Sequence, residues 1–158
     1  MAVLCVDKPA LETARILKEA RSWLGTPYRH QARCKGQGCD CLGLLRGVWR
    51  ALYGPEPQPV PAYQPDWVVA DKAEPLVTAA SRWLVSCDLA PLRPGMVVLF
   101  RWRDGLPARH VGILSSQDQM IHAFERVGVV ESPLVPAWQR RISHAYRFPP
   151  IPDNPPED

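Results

Sequence analysis

Three residues of this 158-residue chain have the types that nucleophilic catalysis through sulfur requires: Cys41, His110 and His122. A thiol attacks, one imidazole removes its proton, and a second imidazole orients the first. Asp40 is a good helix N-cap and strongly apolar residues follow it, so we expect Cys41 in the first turn of a helix. The unpaired amides and the dipole at that helix start favour a thiolate, which predicts a lowered thiol pKa.

The two histidines lie in neighbouring segments, RHVGIL and QMIHAF, joined by a tight turn at residues 115–118. If the hairpin is centred at Ser116, His110 and His122 face each other directly, with Cβ atoms about 4.5–5.5 Å apart. We then expect the imidazoles to hydrogen-bond, with the other nitrogen of His110 facing Cys41. A register shift of one residue would place the two rings on opposite faces of the sheet.

Each of these residues also has an ordinary structural explanation. A lone cysteine before an apolar helix is commonly a small core residue, and a lone strand histidine is commonly a satisfied sheet residue. The opposed pair together with a helix-start cysteine favours catalysis. Cys34, Cys39 and Cys41 could instead hold a metal or an iron–sulfur cluster, but their spacing matches neither zinc pairs nor ferredoxin runs. We therefore interpret Cys39 as structural or incidental.

The composition, with 46% hydrophobic and 22% charged residues, is that of a soluble globular domain. The net charge of +3 is not concentrated in a basic block with interleaved aromatics, so we expect no direct nucleic-acid binding. The first 20 residues lack a signal-peptide pattern, and no apolar run reaches the roughly 18 residues of a membrane span. Five cysteines without a signal peptide predict a reduced origin rather than a disulfide framework.

The pattern along the chain predicts helices first and strands afterwards. Helices are expected over 9–25, 40–53 and 72–87, and strands at MVVLFRW, HVGILS, QMIHAF, GVVES and 144–148. This order predicts an α+β fold, with helices packed on a central antiparallel sheet of about five strands. We expect one domain over 1–148, with a proline-rich and helical insertion at about 55–92 and a disordered tail at 149–158.

Four segments, LGTPYRHQ, GCDCLGL, HVGIL and IHA, occur in that order and together resemble the NlpC-type cell-wall cysteine peptidases of the papain-like superfamily. DCLGLLRGVWRALYG and VVESPLVPAWQRRISHAYRFP are similar to the branch found in phage tails and gene transfer agents. The resemblance covers about residues 10–148. It implies a papain-like fold with the nucleophile at a helix N-terminus, and cleavage of peptidoglycan stem peptides.

The resemblance also implies roles for individual residues. Cys41 would be the nucleophile, His110 the general base and His122 the third catalytic residue. Tyr28 would position the substrate or the oxyanion, and Asp40 would help hold the free amino end of the substrate. No metal or other cofactor is implied. Where many relatives have a serine after the nucleophile this chain has Leu42, which leaves open which stem bond is cut.

The implied partners are peptidoglycan stem peptides and other tail-tip proteins of a phage-like particle. We expect synthesis in the bacterial cytoplasm without a signal peptide, transport on the particle tail, and action at the wall or periplasm of the target cell. Arg140 and Arg141, and the proline-rich connector, are candidate docking surfaces. Two alternatives stay open: a structural tail-tip protein with a peptidase-like fold and little activity, and a thiol or metal-binding module using Cys34, Cys39 and Cys41.

Overall fold

The computed structural model describes residues 7–56 and 74–154. Cys5, most of the proline-rich connector and the last four residues lie outside the described residues. Within the described stretches the chain forms four helices and eight strands, which follow in chain order. The helices are α1 Lys8–Arg21, α2 Cys41–Tyr53, α3 Pro75–Trp83 and α4 Pro136–Gln139. The strands are β1 Arg33–Cys34, β2 Gly38–Cys39, β3 Val85–Cys87, β4 Val97–Phe100, β5 His110–Ser116, β6 Gln119–Phe124, β7 Gly128–Pro133 and β8 Ile142–Arg147.

The second helix agrees with the sequence pattern, whereas α1 ends at Arg21, four residues before the predicted end at residue 25. α2 begins directly after Asp40 and ends before Gly54, whose φ of 89° only glycine adopts readily. The third predicted helix is wrong at its end, because α3 stops at Trp83 and residues 85–87 form a strand. Pairing with β8, in which Val85 faces Arg147, gives this segment hydrogen bonds that a longer helix would have to forgo.

The larger sheet has six strands in the order β3-β8-β4-β5-β6-β7, and every pair is antiparallel. This confirms the predicted α+β class, with one strand more than expected because β3 joins the edge. The loop predicted between α1 and α2 contains a short hairpin, β1–β2, which leads directly into Asp40 and Cys41. The nucleophile candidate is therefore delivered by a hairpin that ends at a helix start.

The two faces of the larger sheet are covered differently. On one face Val111, Ile113 and Ile121 pack in the same core as Leu42 and Leu45 of α2. The side chains that alternate with them point to the other face and form a second core with residues of the β7–α4 segment, as expected for strands. This second core contains Met96, Val98, Phe100, Leu114, Met120, Leu134 and Ala145, with Trp138 packed against it.

An arginine cluster ties the β1–β2 hairpin to the last turns of α2. Glu56, with 8% of its side chain exposed, accepts hydrogen bonds from Arg46 at 2.7 Å and from Arg33 at 3.2 Å. Arg50 contacts the same carboxylate at 3.4 Å and donates to the carbonyl of Arg33 at 2.9 Å. These bonds hold the hairpin against the helix that carries Cys41.

The C-terminal segment departs from the prediction of a disordered tail. Ile151 is 3% exposed and belongs to the core of the α1–α2 face, and its N–H donates to Glu12 of α1 at 3.1 Å. Ordered packing therefore extends beyond residue 148, because this isoleucine fills an apolar site on the domain. None of the helices in the described stretches is long and apolar enough to cross a membrane.

Candidate active site

The start of α2 is built as the sequence predicts. Asp40 has extended backbone angles, and its Oδ1 accepts the N–H of Gly43 at 2.7 Å. Its Oδ2 accepts the N–H of Gln31 at 2.8 Å, and the residue is only 2% exposed. The predicted N-cap is thus confirmed, and the same carboxylate fixes the preceding loop. Cys41 follows in the first turn of the helix, partly exposed to solvent.

The thiol of Cys41 lies near the backbone of β5, close to the point where β5 and β6 stop pairing. The pairing of β5 with β6 ends at Ile113 and Ile121, although both strands continue beyond these residues. The N–H of Leu114 bonds to β4, so the N–H of Val111, three residues earlier, points to the β6 side. On that side the backbone amide of Val111, together with those of Leu42 and of Cys41 itself, acts on the Cys41 thiol and lowers its pKa. The Cys41 thiol therefore lies beside Val111, the residue that follows His110 in the chain.

The imidazoles of His110 and His122 are joined by a hydrogen bond. The distance from His110 Nε2 to His122 Nδ1 is 2.8 Å, and the ring planes are at 76°. Both side chains are buried, at 6% and 2% exposure. The bond occupies Nε2 of His110, which leaves Nδ1 for another partner.

The predicted register behind this contact is wrong in detail. Leu114 faces Met120, and an irregularity between Leu114 and Ser116 shifts the turn, so His122 lies diagonal to His110 rather than opposite it. Continuing the register places His122 opposite Gly112, where an added Cβ would lie 3.7 Å from the His122 Cβ. The actual register is shifted by two residues from the expected one. Because two is an even number, both histidines still point to the same face of the sheet. Diagonal neighbours are about 7–8 Å apart at Cα, a distance that two imidazoles span.

The electrostatics contradict the expected thiolate. Burial, and then the charge of Asp40, raises the pKa of Cys41 from 9.0 to about 12, although the surrounding amides lower it. Burial, and then the neighbouring His122, lowers the pKa of His110 from 6.5 to about 3. Burial lowers the pKa of His122 to about 4. At neutral pH the resting site holds a neutral thiol and two neutral imidazoles, because desolvation outweighs the helix start.

A serine that the sequence analysis did not single out extends the hydrogen-bonded chain. Ser132 of β7 lies 2.9 Å from Nε2 of His122 through its Oγ. On β7 the residue opposite His122 is Val130, so Ser132 is again a diagonal neighbour on the same face. Its position in the predicted strand GVVES, with period-two alternation, was the available signal. The chain His110–His122–Ser132 thus crosses three adjacent strands.

Tyr28 lies near Cys41 and is partly buried against the core of α2. Burial raises the pKa of Tyr28, and the charges of Cys41 and Asp40 act in the same direction, so its hydroxyl stays protonated. Tyr28 is connected to Cys39 by a β-bridge, which places the tyrosine beside the strand that leads to Cys41. The structure therefore brings both Tyr28 and Asp40 to the nucleophile candidate.

The remaining cysteines of this region do not form a site together. Cys39 is fully buried, and burial raises its pKa to about 12, which fits the structural interpretation. Cys34 is exposed on β1. Within residues 7–56 and 74–154 no group of three or more His, Cys, Asp or Glu could hold a metal ion. The three cysteines weighed as metal ligands therefore do not converge in this part of the chain.

Aromatic rings surround the two histidines on the face of the sheet opposite α2. The centroids of Phe100 and Trp138 lie 5.8 Å and 5.6 Å from that of His110. Trp102 and Phe124, each 38% exposed, contact the same ring from the outside at 6.1 Å and 6.3 Å. This aromatic enclosure explains the desolvation of the histidines. Its two outer members, Trp102 and Phe124, also present apolar surface to solvent at the edge of the site.

Comparisons with known proteins agree with this geometry. The chain matches the NlpC/P60 family over residues 25–147. It is similar to the murein DD-endopeptidase MepS/murein LD-carboxypeptidase of Escherichia coli strain K12, with 31% identity over 135 residues, which cover 85% of this chain and 62% of that protein. The probable endopeptidase NlpC of the same strain is 29% identical over 132 residues, covering 82% and 74% of the two chains. The crystal structure of an NlpC/P60 family protein from Bacillus cereus shares the fold, with a TM-score of 0.63 and 22% identity over 89% of this chain and 40% of that chain.

Proposed function

Because the chain belongs to the NlpC/P60 family, we propose that it is a cysteine peptidase that hydrolyses amide bonds in the stem peptides of peptidoglycan. The similarity to MepS, a murein DD-endopeptidase, supports this substrate class. The chain spans 62% of the length of that relative, so the activity is proposed for the domain on the basis of its own site. The observation that carries the proposal is the 2.8 Å bond between His110 and His122, next to the Val111 amide that acts on the Cys41 thiol.

The geometry supports proton transfer at the moment of attack. For Nδ1 of His110 to accept a proton, its Nε2–H must donate to Nδ1 of His122, and Nε2–H of His122 must then donate to Ser132. The Cys41 proton passes to His110 as the sulfur bonds to the carbonyl carbon. Proton transfer that accompanies the attack avoids forming a separate Cys41 thiolate and His110 imidazolium, which burial destabilises in this site.

The later steps use the same residues. The carbon–nitrogen bond breaks as His110 returns its proton to the leaving amine, and an acyl group stays on Cys41. Water then attacks the thioester carbon while His110 accepts its proton. The carbon–sulfur bond breaks, which releases the carboxylic acid, and the sulfur takes the proton back from His110 to restore the thiol. The amides of Leu42 and Val111 near the sulfur are suited to stabilise the oxyanion, and the protonated Tyr28 hydroxyl is a further donor nearby.

We further propose that the domain works at the tail tip of a phage or gene transfer agent, where it opens the wall of the target cell. The support is the sequence similarity of the α2 segment and of residues 129–149 to that branch. In this role it would be made in the cytoplasm, docked on other tail-tip proteins and carried to the target wall. A structural tail-tip protein with little activity is the competing function, and the same experiment separates the two.

The experiment is digestion of purified peptidoglycan by the purified protein, with the released fragments identified by mass spectrometry. Hydrolysis by the wild type and its loss in Cys41→Ala are expected, at least a thousandfold because the nucleophile is removed. The matched control is Cys34→Ala, an exposed cysteine of the neighbouring hairpin, which should retain full activity. Equal digestion by the wild type and Cys41→Ala would contradict the proposal, and no digestion by the wild type would favour the structural role.

A further inference from the structure

Trp102 stacks on the ring of His110, the candidate general base, and is exposed to solvent. It lies in the loop after β4, and its ring is nearly parallel to that of His110, with centroids 6.1 Å apart and planes at 19°. Trp102 is 38% exposed, whereas His110 is 6% exposed. A ligand group that reaches His110 from solvent on this side therefore meets the indole first.

Arg141 adds a positive charge to the same surface. Its guanidinium carbon lies 5.8 Å from the centre of the Trp102 ring. The N–H of Arg101 donates to the carbonyl of Arg141 at 2.9 Å, which fixes the loop after β4 to the start of β8. Among residues 7–56 and 74–154, the salt bridges do not include Arg141. Its charge is available to a bound anion.

The segments of the chain that carry Trp102 and Arg141 are rich in arginine. The segments 101–104 and 140–141 read RWRD and RR, so four arginines and one aspartate occur within these six residues. The chain as a whole has a net charge of only +3. Of these arginines, Arg141 is the one whose guanidinium lies over the exposed indole, and this pair favours an anionic ligand with apolar parts.

The chemistry of the proposed reaction identifies which part of the substrate reaches this surface. The leaving amine must come within hydrogen-bond reach of His110, because His110 returns the proton to it. Groups attached to that amine must continue past His110, and Trp102, which stacks on the ring of His110 and is exposed, is a surface that they can reach. We propose that Trp102 and Arg141 bind the part of the substrate that carries the leaving amine, with Trp102 against its hydrocarbon and Arg141 against its carboxylate.

This inference rests on the proposed function, and it deepens it by assigning a binding site for one half of the substrate. A guanidinium recognises a carboxylate through two parallel N–H donors, which a neutral carboxamide cannot match. The surface should therefore distinguish an amine-side fragment with a free carboxylate from the same fragment amidated there. Phe124 and Trp138 back the site but are not required to touch the ligand.

The experiment uses two synthetic stem peptides that differ only in a free or an amidated carboxylate on the amine side of the scissile bond. We expect the wild type to have a kcat/KM about tenfold higher for the free carboxylate, as one charge-assisted hydrogen-bonded pair provides. Arg141→Gln should bring the ratio of the two substrates near one. Trp102→Ala should lower kcat/KM for both substrates about equally, and Trp102→Phe should recover much of the loss. The matched control is Arg15→Gln, an exposed arginine of α1, which should keep the wild-type ratio.

Binding measured on the full chain with Cys41→Ala separates this inference from the proposed function. Isothermal titration of the two peptides should show weaker binding of the amidated form, and Arg141→Gln in this background should remove the difference. That result would support the site even if the wild type hydrolyses neither peptide, which would count against the proposed function alone. A tenfold preference that survives Arg141→Gln in both assays, or no preference in either, would overturn the inference.

Discussion

At the residue scale, the protonation of the site is decided by burial rather than by the helix start. The amides of Cys41, Leu42 and Val111 do lower the thiol pKa, as an N-terminal position predicts. Desolvation and the adjacent Asp40 raise it further than these amides lower it. Because His110 is also held neutral, nucleophile and base rest uncharged and depend on accurate positioning for proton transfer.

Ser132 should be a positioning residue for this transfer. Ser132→Ala removes the acceptor for Nε2–H of His122, so we expect kcat/KM for peptidoglycan fragments to fall about tenfold, the equivalent of one hydrogen bond. Ser132→Thr keeps a hydroxyl and should retain most of the activity. Steady-state kinetics of the two variants, with the urea midpoint as a check on folding, tests this. Full activity in Ser132→Ala would show that the hydrogen bond to Ser132 has no role.

At the element scale, the position of Cys41 depends on how α2 is held at both ends and along its length. Asp40 caps the start of the helix and accepts a hydrogen bond from the preceding loop. Glu56, which lies beyond the end of the helix, forms salt bridges with Arg33, Arg46 and Arg50. Along the helix, Gly47 leaves room for the indole of Trp23, which lies just after α1, because a Cβ at Gly47 would lie 2.0 Å from Cζ2 of Trp23. The helix thus brings the thiol to the sheet with little freedom to shift.

Gly47→Ala tests this close approach. In an exposed helix interior the change would stabilise by about 1 kcal/mol, because alanine has the higher helix propensity. Here we expect a loss of about 1–3 kcal/mol, since the methyl group overpacks the contact with Trp23. Urea denaturation measures the change. The double variant Trp23→Leu with Gly47→Ala should lose less than the sum of the two single changes, and strict additivity would show that the indole is not what the methyl group meets.

At the scale of the whole molecule, the site exists because six strands bring together residues that are far apart in the chain. β4 pairs with β5 and β7 pairs with β6, and the pairing between β5 and β6 ends at Ile113 and Ile121, near the Val111 amide that acts on the Cys41 thiol. The second core, with its aromatic enclosure, keeps water from the two histidines. The fold therefore stabilises a pair of neutral imidazoles at some cost in acid stability.

Acid should destabilise the protein in a window set by these histidines. The folded-state pKa values of His110 and His122, about 3 and about 4, lie below the unfolded value of 6.5. As pH falls below 6.5 the unfolded chain binds protons that the folded chain does not, so stability decreases. Between pH 7 and pH 5 we expect a loss of about 1–2 kcal/mol for each histidine, measured by urea denaturation at the two pH values.

The control for this prediction is the double variant His110→Gln with His122→Gln. Its loss between pH 7 and pH 5 should be clearly smaller than that of the wild type. His144, whose pKa burial also lowers, should account for part of what remains. An equal loss in the wild type and the double variant would show that the two buried histidines do not control the acid response.

The sequence alone determined the features that depend on residues a few positions apart. Asp40 and the apolar run after it define the start of α2, and the period of two in RHVGIL and QMIHAF assigns the residues of each strand to its two faces. Tertiary structure decided the diagonal register, the contact of Ser132 with His122 and the neutral state of Cys41. These depend on a turn irregularity, on pairing with a third strand and on burial by distant residues. Capping and alternation are local properties of the chain, whereas register and desolvation arise only when the remote strands and helices have packed.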